Sequence, residues 1–389
     1  MKVTKYIFAA LLLPLLAACS DEKLGPSIFP EVSDEPDPAS YTYKFDKWLN
    51  QNFRDVYNVD FKYLMEDVEA DMNYNLVPAT YDNARDLALL TKYLWYDSYK
   101  ELIGEAFIKS YGPRILHLIG SPAYNPNSGT ETLGLAEGGL KVTLFKVNEM
   151  DLDDINMLNE FYFRTMHHEF GHILHQTKSY PTDFNLLSTG RYDDSSWQSK
   201  QPGYVASLGF ITPYASSQAR EDFAETIANY LTRTPQQMEL ILWMSKLGWT
   251  KDPNVDETES EESLKDRYYC YYYYDDPSDL ESKHYFFYSQ ERYEKDYRVG
   301  LVGINGEYFT SVAEAEAYLN KVKETHEIYP VEDTDNVNGY ELIMQKQSIV
   351  RNWFTDQWKI SFDALHDIVQ RRQQDFDIVA LRQEVESIQ

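Results

Sequence analysis

The chain has 389 residues and a formal net charge of −27 at pH 7, from 36 Lys and Arg against 63 Asp and Glu. This acidity argues against nucleic acid and anionic membrane surfaces as partners, and favours a solvated exterior. Hydrophobic residues make up 43% of the sequence, which is enough to fill the core of one large or two moderate domains.

The amino terminus has the pattern of a lipoprotein signal peptide. Two lysines precede an apolar run over residues 6–16, which is shorter than the ~18 residues that a membrane-spanning helix needs. The tetrapeptide Leu-Ala-Ala-Cys that ends at Cys19 resembles the bacterial lipobox, which implies cleavage before the cysteine and acylation of its thiol. We therefore expect a signal peptide over residues 1–18, then a lipidated Cys19 and a flexible tether over residues 19–40. The alternative is an ordinary secretory signal with an incidental cysteine.

Helices are predicted first, and strands follow. Apolar residues recur at three- and four-residue spacing over residues 41–107, which is typical of core-facing helices. Residues 114–120 and 139–147 are short, β-rich segments, so we expect a strand in each. The stretch between them, residues 125–139, is rich in Gly, Asn, Ser and Thr and is predicted to be a loop.

The next helix, predicted from about residue 151 to residue 177, carries the sequence His-Glu-Phe-Gly-His. His168 and His172 stand one turn apart on one face, so that both imidazoles can converge on one metal ion while Glu169 reaches a bound water. This is the H-E-x-x-H pattern of zinc hydrolases, although structural helices occasionally carry it as well. The two other histidines of this helix are expected to have supporting or structural roles: His167 and His175.

A catalytic zinc site needs a third protein ligand, and a second helix can supply it. The third histidine of the metzincin pattern is absent, so a carboxylate is the remaining common solution. Glu221 and Glu225 lie one turn apart on a predicted helix, so that one can bind metal while the other hydrogen-bonds a ligating histidine. Acidic residues at a helix start also serve charge compensation alone, and the pattern leaves open the choice among Glu221, Asp222 and Glu225.

The chain after the tether is predicted to fold in three parts. We expect a catalytic domain over residues 41–250, an acidic and Tyr-rich insertion over residues 251–338, and helices over residues 339–389 that pack on the catalytic domain. Within the insertion, the aromatic run 268–274 could stack on sugars or shape a peptide cleft. The alternative is a β-rich subdomain with tyrosines on a half-exposed face.

The histidine motif, Tyr214 and the segment Glu221–Glu225 together resemble a known family. They are similar to the gluzincin arrangement of the anthrax lethal-factor type, and more closely to the zinc metallopeptidase lipoproteins of Bacteroidota nutrient-import loci. The resemblance implies an α+β, zincin-like fold, mainly helical with a small mixed sheet and the Tyr-rich inserted subdomain. It also implies Zn²⁺ held by His168, His172 and Glu221.

The same resemblance implies roles for the residues around the metal. Glu169 would be the general base, Glu225 would hydrogen-bond a ligating histidine, and Tyr214 would stabilise the oxyanion, with Tyr204 as the alternative to Tyr214. Zincins bind the substrate backbone along an edge strand above the site, and residues 140–147 are the candidate for this strand.

The expected function is zinc-dependent hydrolysis of a peptide or protein substrate. The expected setting is a lipoprotein anchored in the outer membrane, on the cell surface or facing the periplasm, with a possible partner in a nutrient-import complex and no nucleic acid. The alternative is a non-catalytic lipoprotein of an import complex that binds glycan or peptide.

Overall fold

The computed structural model describes residues 35–65, 75–124, 131–132, 134–137, 141–251, 267–293, 296–333 and 335–389. Its architecture is α+β and mainly helical with small sheets, which confirms the predicted fold class. The predicted signal peptide, Cys19 and most of the tether lie outside the described residues, as does the acidic stretch 252–266. Within the described ranges, every helix is too short or too polar to cross a membrane.

Helices make up most of the described chain. The α-helices are Tyr43–Leu49, Asp55–Tyr57, Tyr81–Leu90, Asp97–Ile103, Glu105–Tyr111, Ile155–Leu158, Arg164–Thr177, Asp183–Leu187, Pro202–Ser207, Ala219–Thr232, Pro235–Met244, Val312–Lys323, Gly339–Trp353, Phe362–Asp375 and Ile378–Glu386. Single π-helical turns continue some of them: Asn50–Arg54, Thr91–Tyr96, Asn159–Phe163 and Phe354–Trp358.

A four-stranded sheet lies in the first half of the chain. Its strands are β1 (Asp60–Lys62), β2 (Ile115–Leu118), β5 (Gly134–Glu137) and β6 (Lys141–Leu144), whereas β3 (Ala123–Tyr124) pairs with β4 (Glu131–Thr132) separately. The order is β1-β2-β6-β5, in which β1, β2 and β6 run parallel and β5 runs antiparallel to β6.

Residues 140–147 do contain a strand, as predicted, but the prediction that this strand lies at the edge of the sheet is wrong. β6 has a strand neighbour on both sides, and β5 stands at the edge, inside the stretch that was predicted to be a loop. The composition of residues 125–139 is typical of loops, but the backbone pairing with β6 makes part of it a strand. Strand pairing is a tertiary property that local composition does not carry.

The helix that carries the histidine motif begins where the sequence predicts. The carboxylate of Asp154 accepts hydrogen bonds from the backbone amides of Asn156 and Met157 at 2.9 and 3.2 Å, which caps the helix start. The helix then passes through a π-helical turn and continues as Arg164–Thr177, called the motif helix below. On its buried face, Phe170 packs edge-on against Tyr99, with ring centres 5.1 Å apart.

A second helix, Ala219–Thr232, packs directly on the motif helix and is called the glutamate helix below. The two approach closely because position 171 is a glycine: a Cβ there would lie 3.3 Å from Cδ1 of Ile227 and 3.6 Å from Cα of Ala224. Glycine in the motif therefore lets the motif helix and the glutamate helix come together without a side chain between them.

A six-stranded antiparallel sheet occupies the later chain. Its strands are β7 (Thr250–Lys251), β8 (Tyr268–Tyr274), β9 (Lys283–Arg292), β10 (Arg298–Val302), β11 (Tyr308–Phe309) and β12 (Ile328–Pro330). This sheet shares a hydrophobic core with residues of Pro202–Ser207 and Pro235–Met244. The domain bounds 41–250, 251–338 and 339–389 stay a prediction.

The helix Gly339–Trp353, called the lysine helix below, packs against the glutamate helix and contacts the residue that follows the motif helix. The indole nitrogen of Trp353 donates a hydrogen bond to the carbonyl oxygen of Lys178, just beyond the motif helix, at 3.1 Å. Its ring packs edge-on against Phe223 of the glutamate helix, with ring centres 5.1 Å apart. Three helices from distant parts of the sequence therefore meet around the histidine motif.

Candidate metal centre

Three side chains from the two packed helices converge on one point. Nε2 of His168 lies 3.0 Å from Nε2 of His172, and Oε2 of Glu221 lies 3.2 Å from the first nitrogen and 3.0 Å from the second. Among the residues that the structure describes, these three side chains form the cluster whose ligand atoms are close enough to hold one metal ion.

The outer nitrogens of both histidines have partners of their own. Nδ1 of His168 hydrogen-bonds Oε1 of Glu225 at 2.8 Å, and Nδ1 of His172 hydrogen-bonds Nε2 of His175 at 2.8 Å. A ligating histidine normally uses its second nitrogen in this way, which fixes the ring and its tautomer. The two Nε2 atoms are thus turned toward Glu221, and two imidazoles with one carboxylate are a donor set that suits catalytic zinc.

Glu225 is itself held in place by side chains that the sequence analysis did not identify. Its Oε2 accepts hydrogen bonds from the Thr212 hydroxyl at 2.6 Å and from the Asn229 amide at 3.1 Å. Asn229 follows Glu225 by one helical turn, so helical spacing could have identified it. No sequence signal connects Thr212 with the site.

The charges of the site are arranged for a cation. Burial acts to raise the pKa of Glu221, but hydrogen bonds with His168 and His172 outweigh it and hold that pKa well below its usual range. Burial acts to lower the pKa of His168, yet its hydrogen bonds with Glu221 and Glu225 raise it to about 10. Against the effect of burial, the hydrogen bond with His168 likewise lowers the pKa of Glu225, to about 2, so both carboxylates are ionised at neutral pH. A metal ion would take the place of the proton shared by Nε2 of His168 and the Glu221 carboxylate.

Glu169 lies beside the ligand atoms but is not part of the cluster. Its burial raises the pKa of the carboxyl, while His168 and His172 act in the opposite direction. A carboxylate with a raised pKa accepts a proton more readily, which suits a general base near neutral pH.

The structure brings Tyr214 to the site and takes Tyr204 elsewhere. The Tyr214 ring centre lies 5.7 Å from that of His168 and 4.8 Å from that of Trp197. Burial, and then the carboxylate of Glu221, raise the pKa of Tyr214, so its hydroxyl keeps its proton and can donate it in a hydrogen bond. Tyr204 instead stacks on Tyr268 of β8, with ring centres 3.7 Å apart.

Three residues that flank the proposed ligands have partners of their own. Asp222 points away from the ligand atoms and pairs with Lys346 of the lysine helix at 2.6 Å. His167 is buried on the core side of the motif helix, where its Nδ1 lies 3.0 Å from the Tyr99 hydroxyl. His175 contacts the site through its hydrogen bond with His172.

Comparison with known proteins places these observations in a family. Residues 39–363 match a family described as "putative zinc-binding metallo-peptidase". A crystal structure from Bacteroides caccae, described in the same words, is similar in fold with a TM-score of 0.56 and 30% sequence identity, covering 90% of this chain and 98% of the other. No curated protein matches the chain. Both descriptions confirm the predicted zinc cofactor, and the described cluster of two histidines and one glutamate fits it.

Proposed function

The chain belongs to this family of zinc-binding metallo-peptidases, and we propose that it is a gluzincin-type peptidase in which His168, His172 and Glu221 hold the zinc ion. The observation that carries the proposal is the convergence of the three ligand atoms, each within 4.8 Å of the others. The Glu169 carboxyl follows His168 on the same helix and interacts electrostatically with all three of these side chains. Two histidines one turn apart and a glutamate from a second helix define this arrangement.

The chemistry divides among the side chains around the metal. Zinc, when bound, polarises the scissile carbonyl and makes water a stronger acid. Glu169 takes a proton from the attacking water and passes it to the leaving amine, for which its raised pKa is suited. The Tyr214 hydroxyl donates a hydrogen bond to the oxyanion as it forms, a contact that is strongest in the transition state.

We propose the edge strand β5 as the element that holds the peptide substrate. β5 has a strand neighbour on one side only among the described strands, so its other backbone edge can pair with an extended peptide. Addition of a strand to a sheet edge binds peptides through main-chain hydrogen bonds, with little dependence on sequence.

The proposal includes a lipid anchor at Cys19. The lipobox-like tetrapeptide supports acylation there. The resemblance to the lipoproteins of nutrient-import loci supports a location in the outer membrane and a link to an import complex. Labelled palmitate should be incorporated into the wild-type chain in a bacterial host, and incorporation that persists in Cys19→Ser would contradict the anchor.

The experiment that tests the proposed function combines metal analysis with a peptide-library cleavage screen. Purified protein should contain about one zinc ion per chain, since a three-residue ligand set holds a single ion. Glu169→Gln should keep that zinc and lose cleavage, because the amide cannot accept the proton. His172→Ala should lose both zinc and cleavage. Cleavage that persists in Glu169→Gln, or a wild type that cleaves equally well after chelation, would contradict the proposal.

A further inference from the structure

An ion pair is buried next to the third metal ligand. Nζ of Lys346, on the lysine helix, lies 2.6 Å from Oδ2 of Asp222, the residue that follows Glu221. The side chains are 2% and 0% exposed, respectively. The same Asp222 oxygen accepts a hydrogen bond from the Tyr192 hydroxyl at 2.9 Å.

The Lys346 ammonium also contacts the loop that leads to Tyr214. It donates a hydrogen bond to the carbonyl oxygen of Gly209 at 2.6 Å and lies 4.2 Å from the centre of the Phe210 ring. Gly209 has a φ of +90°, and a Cβ there would lie 2.6 Å from Cβ of Leu342 on the lysine helix. The loop backbone therefore lies directly against the lysine helix, and the ammonium connects it with the glutamate helix.

Stability alone does not account for this pair. The desolvation of two buried charges largely cancels their attraction, so replacing such a pair by neutral side chains of similar volume is often neutral or stabilising. Here the compensation is also incomplete, because Oδ1 of Asp222 is buried and has no hydrogen-bond partner in the described structure. What the pair does provide is a fixed geometry between two segments.

Both of those segments carry residues of the candidate site. The glutamate helix contributes Glu221 and Glu225, and the loop contributes Thr212, which hydrogen-bonds Glu225, and then Tyr214. A shift of either segment changes where a ligand oxygen or the tyrosine hydroxyl lies relative to the motif helix.

From these contacts we propose that Lys346 is a positioning residue of the metal centre, which acts through Asp222 and Gly209 to fix the third ligand and Tyr214 relative to the two histidines. The proposal rests on the function proposed above. It assigns a role in the site to the helix Gly339–Trp353, which contributes no ligand.

The test separates positioning from stability with two variants. Lys346→Met leaves the Asp222 carboxylate buried and unpaired, so it should lower both stability and zinc affinity. Asp222→Asn/Lys346→Met removes both charges and keeps an acceptor for Tyr192, so its melting temperature should return close to that of the wild type. Its zinc affinity should stay about 10- to 100-fold weaker, as for other losses of support around a metal site. Its kcat in the peptide assay should fall by at least about tenfold, with KM nearly unchanged, because Tyr214 and the zinc ligands, which the loss of Lys346 displaces, act in the transition state.

A second ion pair of the chain serves as the matched control. Arg382 holds the buried carboxylate of Asp86 at 2.6 and 2.9 Å, and it joins the helix Ile378–Glu386 to Tyr81–Leu90, neither of which carries a site residue. Asp86→Asn/Arg382→Met should leave zinc affinity and kcat at wild-type values.

The outcomes are distinguishable. A double variant at 222 and 346 that regains zinc affinity and kcat together with its stability would overturn the positioning role. If neither variant folds, Tyr192→Phe provides a milder test, because it removes a single hydrogen bond to Asp222. It should weaken zinc binding by about threefold, which is less than the effect expected for loss of a whole supporting side chain. Unchanged zinc affinity in this variant would overturn the positioning role. Wild-type protein that binds zinc but cleaves nothing would instead contradict the proposed peptidase and leave the zinc readout intact.

Discussion

At the scale of single residues, the two proposed histidine ligands are supported in different ways. Nδ1 of His168 faces the ionised Glu225, whereas Nδ1 of His172 faces His175, whose pKa burial lowers to about 4. An anionic partner makes the imidazole more electron-rich than a neutral one does. His168 should therefore be the stronger donor of the pair.

The role of Tyr214 can be tested against a tyrosine that the structure places elsewhere. Tyr214→Phe should keep its zinc, since the hydroxyl is not among the ligand atoms, and lose about 10²- to 10³-fold in kcat, as for loss of one oxyanion donor. Tyr204→Phe is the matched control, because Tyr204 stacks on Tyr268 and should behave as the wild type. Steady-state kinetics on a cleaved peptide would check both. A Tyr214→Phe variant with wild-type kcat would exclude the hydroxyl from the reaction.

The sequence identified the residues whose positions depend on local helical spacing, and it missed those that tertiary packing brings to the site. The motif spacing of His168 and His172 follows from one helical turn, and the need for a third ligand points to a carboxylate on a second helix. The choice of Glu221 over Asp222 and Glu225 came from the family resemblance. Thr212 and Lys346 come to the site through tertiary packing of segments far apart in the chain, and no local periodicity carries that information.

At the scale of elements, the two faces of the motif helix have different environments. One face carries the ligands, and the other places His167 in the aromatic core beside Tyr99. Burial lowers the pKa of His167 to about 3, so the folded protein keeps this ring neutral. The unfolded chain has no such constraint, with a histidine pKa of about 6.5.

This difference predicts an acid-sensitive stability. Because the folded pKa lies below the unfolded one, the contribution of His167 is fully present above pH of about 6.5 and is lost as pH falls toward 3, by about 1.4 kcal/mol per pH unit. His167→Gln keeps a hydrogen-bond acceptor for Tyr99 and removes the titration. Urea unfolding of metal-free protein can be followed between pH 4.5 and 7.5, from about two units below to about one unit above the unfolded pKa. The free energy of unfolding should depend less steeply on pH in the variant than in the wild type. Equal slopes would mean that His167 is not held neutral.

Element prediction succeeded where the signal is local and failed where it is not. The motif helix begins at the expected place because Asp154 caps it and apolar residues follow at helical spacing. The edge strand was assigned one strand too late, to β6 instead of β5, because β5 depends on backbone pairing and its composition resembles a loop.

At the scale of the whole molecule, the candidate site lies where two hydrophobic cores meet. The motif helix and most of the glutamate helix contribute to the first core, with residues such as Phe170 and Phe223. Phe210 and Ala215, on either side of Thr212 and Tyr214, belong to the second core together with the six-stranded sheet. Three tyrosines of β8 pack against this second core: Tyr268, Tyr271 and Tyr273. The ammonium of Lys283 lies over the rings of Tyr272 and Tyr285.

This arrangement makes the metal centre a product of long-range packing. The proposed ligands come from the motif helix and the glutamate helix, and the proposed oxyanion donor comes from a loop bound to the second core. Lys346 joins that loop to the glutamate helix. An error in any of these packings would separate the three ligand atoms.

The measurement that tests this account most directly is the position of the metal in a crystal of the zinc-loaded protein, from anomalous scattering at the zinc absorption edge. The account predicts one strong peak within about 2.0–2.2 Å of Nε2 of His168, Nε2 of His172 and a carboxylate oxygen of Glu221, the usual zinc–ligand distances. A peak ligated by Asp222 or Glu225 in place of Glu221, or a zinc ion bound away from the two histidines, would contradict it.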